Sequence, residues 1–198
     1  MSIDIAVLAS GSGTNLQTLI DTPQIRPRIA CVVSDKSDAL ALDRAHAAGI
    51  PTSVVLWSDH TNRDTFSAAV ADAVETHGAK GVVLAGFMRV LSKGFIDRFP
   101  NRILNIHPSL LPAFPGAHAV EMALDYGVAV TGVTVHVVDE KVDHGPIVAQ
   151  RTVAVQPDDT EESLHKRIQV EEHVLYPEVV HAFVNGLLTV EGRMVVWR

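Results

Sequence analysis

Ile3-Asp4-Ile5-Ala6-Val7-Leu8-Ala9-Ser10-Gly11-Ser12-Gly13-Thr14-Asn15-Leu16 is the stretch that decides the fold. Ile3 to Ala9 reads as a short apolar strand, the glycines as a tight turn, and about Asn15 to Asp21 as a helix. The first N–H groups of a helix have no intrahelical partner, and glycine lets a ligand come close to the backbone. In a parallel α/β sheet, the turn between first strand and first helix is therefore an anion site. A purely structural turn is the plainer reading of the same residues. A P-loop would need a lysine in this turn, and there is none. A dinucleotide fingerprint would need Gly or Ala at position 16, which is Leu16, although Asp35 is placed to hold a ribose. A phosphate monoester, such as a sugar phosphate, suits the turn better.

Working outward, strand and helix signals alternate. Strands are expected over Ile29 to Val33, Thr52 to Leu56, Gly81 to Ala85 and Arg102 to Ile106. Helices are expected over Ala39 to Ala48, stopped by Gly49, and from Asn62 or Asp64 to about His77, stopped by Gly78. Apolar strands without alternation, separated by helices, indicate a parallel sheet covered on both faces. Ala117 to Tyr126 then reads as a helix, and Val130 to Val138 with Pro146 to Val155 as a hairpin that adds an antiparallel section. Asp159 is expected to cap the next helix, with Glu162 as its capping-box partner. That helix should reach about Asn185, bent or broken at Pro177. A last hairpin is expected over Leu187 to Trp197, turning at Glu191-Gly192. The expected fold is α/β, a Rossmann-like, mostly parallel twisted sheet with helices on both faces and an antiparallel C-terminal section. Residues 1–198 read as one domain, phosphate-binding over about 1–100 and catalytic over about 101–198.

The second informative stretch is Asn105-Ile106-His107-Pro108-Ser109-Leu110-Leu111-Pro112-Ala113-Phe114-Pro115-Gly116. Residues two apart on an extended segment point to the same side, so Asn105 and His107 can aim at one substrate atom. The prolines stiffen the loop beyond His107. A rigid loop with an amide donor and a proton-transfer group suits acyl-type chemistry. In the third cluster, Asp139-Glu140-Lys141-Val142-Asp143-His144-Gly145-Pro146, a carboxylate at the sheet edge could reach His107 and favour its protonated form. Alone, this segment would read as a solvated acidic turn.

Composition bounds the rest. With 47% apolar residues the chain can build a core, and a formal net charge of −7 with no basic stripe argues against nucleic acid as the main partner. The lone cysteine, Cys31, excludes an intramolecular disulfide and reads as a buried strand residue. No signal peptide or bilayer-length apolar run is seen, so a cytoplasmic protein with no membrane partner is expected. No histidine pair has metal-ligand spacing, so no metal is expected. His46, His60, His77, His165 and His181 read as helix-face or loop residues; His118 and His173 could line a site, and His136 could sit beneath it. Trp57 and Trp197 read as packing.

Together, Ser10 to Gln17, Leu84 to Leu91, Asn105 to Gly116, Asp139 to Pro146 and Gln169 to Pro177 resemble the phosphoribosylglycinamide formyltransferases of the formyltransferase superfamily. The resemblance implies formyl transfer from 10-formyltetrahydrofolate to the amine of phosphoribosyl glycinamide, without metal or covalent enzyme intermediate, by a monomer or homodimer. It implies that Gly13, Thr14 and Asn15 bind the phosphate, and Gln169, Val170, Glu171 and Glu172 the ribose and glycinamide end. Met88, Arg89, Val90 and Leu91 match the pterin pocket, Arg63 a folate contact, and Asp139, Glu140, Lys141, Val142 and Asp143 a loop closing on the pterin. Asn105 would hold the oxyanion, His107 would stabilise it and supply a proton to the departing nitrogen, and Asp143 would hold His107. His144 stands where some relatives carry a small residue. The rival with the same residues is hydrolysis of the formyl folate. Transfer to an aminoacyl-tRNA, a nicotinamide dehydrogenase and a non-catalytic sensor each leave one of the three clusters or a needed domain unexplained.

Overall fold

Seven strands form one sheet in the order β3-β2-β1-β4-β5-β6-β7 in the computed structural model, which describes residues 2–198. They are β1 (Ile5–Leu8), β2 (Ile29–Ser34), β3 (Thr52–Val54), β4 (Gly81–Leu84), β5 (Ile103–His107), β6 (Val130–Val137) and β7 (Ile147–Ala154). β1 to β5 pair in parallel. β6 runs antiparallel to β5, and β7 antiparallel to β6. β8 (Leu188–Glu191) and β9 (Met194–Trp197) form a separate hairpin. The expected mostly parallel sheet with an antiparallel section is thus present.

The helices are α1 (Thr14–Ile20), α2 (Leu40–Ala47), α3 (Arg63–Thr76), α4 (Lys93–Arg98), α5 (Ala119–Tyr126) and α6 (Glu161–Val184). β1 and β4 are buried along their whole length because both sheet faces are covered. One core gathers α1, α2, α5 and α6 against one face, with Leu16, Ala41, Val120 and Ile168 among its members. The other packs Phe66, Val70 and Val74 of α3 and Phe95 of α4 against the opposite face. Cys31 lies fully buried in β2, and burial pushes its thiol up to about 12.

Several expectations shift. α4 is an additional helix, and its six residues are too few for a 3.6-residue period to show in the sequence. β3 ends at Val54, and Trp57–Asp59 forms a single 3₁₀ turn instead of continuing the strand. α5 begins at Ala119, two residues later than expected. α6 is capped by Thr160 and Ser163, not by Asp159 and Glu162. Asp159 is occupied elsewhere: it accepts from Gln156 N and pairs with Arg167. α6 also continues through Pro177. The proline removes one backbone bond, but Leu175, Tyr176, Val179 and Val180 around it are buried, and that packing keeps the helix whole.

Candidate active site

β1 and β4 are neighbours although β2 and β3 lie between them in sequence. The chain's direction across the sheet reverses there, so the turns after the two strands diverge and leave a crevice at their carboxyl ends. The turns are stitched together: Ser10 N donates to Gly86 O at 3.0 Å, and Met88 N to Ser10 Oγ at 2.8 Å. A cavity of about 610 Å³ opens above them and extends over the end of β5.

At one end of the cavity is the start of α1. Gly13 caps it with φ +69°, no side chain caps the helix, and no acidic residue lies in its first turn. The N–H groups and dipole of that turn are left for a ligand. Gly13 is required for packing as well as conformation: a Cβ there would lie 2.8 Å from the Cα and Cβ of Ala41 on α2. Asn15 Nδ2 donates to Glu172 Oε2 at 2.9 Å, while Asn15 Oδ1 is buried without a partner. Glu172 is itself buried on α6. A fully buried Tyr176 one turn further along α6 donates to the Leu84 carbonyl at 2.6 Å, tying this helix to the end of β4.

At the other end, β5 presents Asn105 and His107 in the same sense, and the 139–145 connection between β6 and β7 brings Asp143 over them. His107 Nδ1 lies 3.4 Å from Asp143 Oδ2, and Asn105 Nδ2 lies 3.4 Å from Oδ1. Asp143 Oδ2 also accepts from Gly116 N at 2.8 Å. His107 Nε2 lies 2.8 Å from the Phe114 carbonyl oxygen, which can only accept, so this nitrogen carries a proton. Both ring nitrogens thus face acceptors, an arrangement that a doubly protonated ring satisfies. Delivery of a proton from His107 therefore requires one of these contacts to open. Phe114 (φ +53°) and Asp143 (φ +50°), the two residues flanking the ring, both sit in left-handed backbone that non-glycine residues rarely adopt. Burial pushes the Asp143 carboxyl up. The His136 side chain, the Gly116 N–H and the neighbouring imidazole charges outweigh it and hold the group below its ordinary value.

Thr134, fully buried on β6, anchors the proline loop: its hydroxyl donates to Ser109 O at 2.7 Å and accepts from Leu111 N at 3.0 Å. His136 lies 3.2 Å from Asn105 Nδ2 through Nε2 and forms the buried floor, as its strand phase suggested.

The cavity wall gathers Gly13, Thr14, Asn15, Met88, Arg89, Val90, Leu91, Asn105, His107, Asp139 to Asp143, Gln169 and Glu172. Arg63, Val170 and Glu171 are not part of it. Arg63 is exposed at the start of α3, Val170 faces outward, and Glu171 pairs with Arg151 at 3.4 Å. Asp35 is not open to a ribose, because Arg89 Nε holds its Oδ2 at 2.8 Å while the Arg89 guanidinium lies over Trp57. His165 and Lys36 join the wall, which their positions on α6 and after β2 did not reveal. His118 is exposed beside Glu121, and neither it nor His173 lines the cavity. Among the described residues no group of three or more His, Cys, Asp or Glu side chains is gathered as a metal would need.

The formyl transferase family model matches residues 3–180. This chain belongs to the formyl transferase family. It is 40% identical over 189 residues to phosphoribosylglycinamide formyltransferase of Escherichia coli, covering 94% of this chain and 89% of that one. The enzyme of that name from Mycobacterium tuberculosis is 45% identical over 191 residues, covering 96% and 88%. The trifunctional purine biosynthetic protein adenosine-3 of Bos taurus is 43% identical over 98% of this chain, which spans 20% of that longer protein. The solved structure of glycinamide ribonucleotide transformylase 1 from Symbiobacterium toebii superposes with a TM-score of 0.95 at 47% identity, covering 99% of this chain and 94% of that one. As a formyl transferase, the chain takes its one-carbon unit from a folate-type donor, and no helix is long and apolar enough to cross a membrane among the described residues.

Proposed function

We propose that this formyl transferase moves the formyl group of 10-formyltetrahydrofolate to the primary amine of phosphoribosyl glycinamide, in purine biosynthesis. The carrying observation is the convergence of Asn105, His107 and Asp143 on one end of a cavity whose other end is the uncapped start of α1. An acceptor with a phosphate at one end and an amine at the other spans those two features. The phosphate is held by N–H groups of Gly13, Thr14 and Asn15. The partnerless Asn15 Oδ1 and the Glu172 carboxylate accept hydrogen bonds from its middle and its amine end. The donor's ring lies against Met88 to Leu91 and under the loop from Asp139 to Asp143.

The amine attacks the formyl carbon, and the carbonyl oxygen gains negative charge. Asn105 donates to that oxygen and the His107 cation stabilises it. The attacking nitrogen, cationic on addition, gives up one proton. Collapse breaks the bond to the folate nitrogen, which takes up a proton from His107, and the proton released by the amine restores the His107 cation. The His107 Nδ1 contact to Asp143 is 3.4 Å, longer than the ordinary range, so the Nδ1 proton is the one the ring gives up most readily. Asp143 orients the ring before transfer, and while its contact to Nδ1 opens, the Nε2 bond to the Phe114 carbonyl keeps the ring in place.

The test is a spectrophotometric assay with 10-formyltetrahydrofolate, run with and without phosphoribosyl glycinamide, and product identified by mass spectrometry. Folate release that depends on the glycinamide, with formylated product, is expected. Release at an equal rate without it would make water the acceptor and overturn the proposal.

A further inference from the structure

The inner side of the 139–145 loop is held by Asp143 itself, through Gly116 N and His107. Its root is fixed where Gly145 passes so close to β6 that a Cβ would lie 1.7 Å from Val137 O, and where Val137 N donates to Pro146 O at 2.9 Å. Neither contact explains how the peptide just beyond Asp143 is held. The β8–β9 hairpin does. Arg193 Nη1 donates to the His144 carbonyl oxygen at 2.7 Å, across 49 residues of sequence. His144 Nδ1 in turn lies 2.7 Å from Asp139 Oδ2, which closes the loop on itself. From α4, Lys93 Nζ reaches Glu140 Oε1 at 3.2 Å.

We propose that Arg193 is a positioning residue for Asp143, acting through the His144 backbone. The inference rests on the reading of Asp143 as part of the transfer site. Asp143 adopts φ +50°, and a non-glycine residue stays in that region only where its surroundings over-determine it. The hairpin is a firm base for this. Its two central residues are Gly192 and Arg193, and of these only Gly192 has positive φ, the pattern of a II′ turn that presents Arg193 outward. It is docked by Trp197 Nε1 donating to Val148 O at 3.3 Å and by Leu188, Val190 and Val195 packing on the core. Arg193 is exposed, so its bond adds little to global stability. The loop's own conformational balance is a much smaller quantity, and one such bond shifts it. Arg193 lies beyond the residues that the family model covers, and His144 supplies the link to Asp139 that a small residue could not.

The experiment compares wild type, Arg193→Ala and Arg193→Lys as full chains. The readouts are steady-state kinetics, thermal unfolding and hydrogen exchange of the amides at 139–145. Arg193→Ala is expected to lower kcat by about twofold to fivefold, the range that an exposed charge-assisted contact supports. The KM for phosphoribosyl glycinamide and the unfolding temperature should stay put, while the loop amides exchange faster. Arg193→Lys, which keeps a donor, should return both readouts toward wild type. Wild-type turnover or wild-type loop exchange in Arg193→Ala overturns the inference. A wild type that does not formylate phosphoribosyl glycinamide would instead overturn the functional reading, and the exchange comparison would still decide whether Arg193 holds the loop.

Discussion

Asn105 Nδ2 lies 3.2 Å from His136 Nε2 and 3.4 Å from Asp143 Oδ1, long contacts that leave its N–H groups ready for a better acceptor. A developing oxyanion is such an acceptor. Asn105→Ala is therefore expected to lower kcat by on the order of 10²–10³ while unfolding is unchanged, since removing one oxyanion donor commonly costs that much. Near-full activity in that variant would remove Asn105 from the chemistry. Gly13 makes a different demand. With φ +69° and Ala41 backbone 2.8 Å from a would-be Cβ, Gly13→Ala must shift either the turn or α2. A loss of about 1–3 kcal/mol is expected in chemical denaturation, with a raised KM for the phosphate-bearing acceptor and little change in that for the folate. Equal KM changes for both substrates would contradict a phosphate site at this turn.

At the scale of elements, legibility tracked the length and closeness of the signals. The β1 turn and the string from Asn105 to Gly116 could be read because each keeps its chemistry within a dozen residues of sequence. What brings distant segments together could not: Thr134 under the proline loop, Tyr176 against Leu84, and Arg193 against His144 depend on register and packing that no local pattern encodes. Arg63, Val170 and Glu171 show the converse, since the resemblance places each at the site, yet none of them lines the cavity. The α6 cap shows a third case. Asp159, Thr160 and Ser163 are all good capping types, and Arg167 decides among them by taking the Asp159 carboxylate. Thr160 accepts from Ser163 N at 3.2 Å, and Ser163 Oγ accepts from Thr160 N at 2.9 Å. Thr160→Ala removes the first of these and should cost about 1 kcal/mol in denaturant unfolding. Asp159→Ala should leave the Thr160–Ser163 cap in place and cost instead the carboxylate's bonds to Gln156 N, Ser163 Oγ and Arg167. If Asp159→Ala proved the costlier by disrupting the start of α6, the capping assignment would have to be reversed.

Over the whole molecule, the formal net charge is −7 with neutral histidines, and protonating all ten histidines would reverse its sign. Folding in acid therefore depends on carboxylates that are better placed in the native state than in the unfolded chain. Asp143 is one. Burial raises its carboxyl, but the His136 side chain, Gly116 N–H and the charges of His107 and His136 hold it below the ordinary 3.8. Asp139 is lowered too: burial opposes the shift, and His144, the Lys141 N–H and Arg193 outweigh it. A depressed folded value means that the native state binds a proton less readily than the unfolded one. Its stabilising contribution is complete above the unfolded value and is lost as pH falls through the folded value. Wild-type stability should therefore show no dependence on these two groups near neutral pH and should fall with steepening slope below about pH 4. In Asp143→Asn one of the titrating groups is gone, so the acid decline should be shallower than in wild type. Urea unfolding of both proteins across that range measures the difference in slope directly. Parallel acid limbs would mean that Asp143 binds protons equally in both states, and that the contacts to Gly116, His107 and His136 do not hold its carboxylate as the geometry requires.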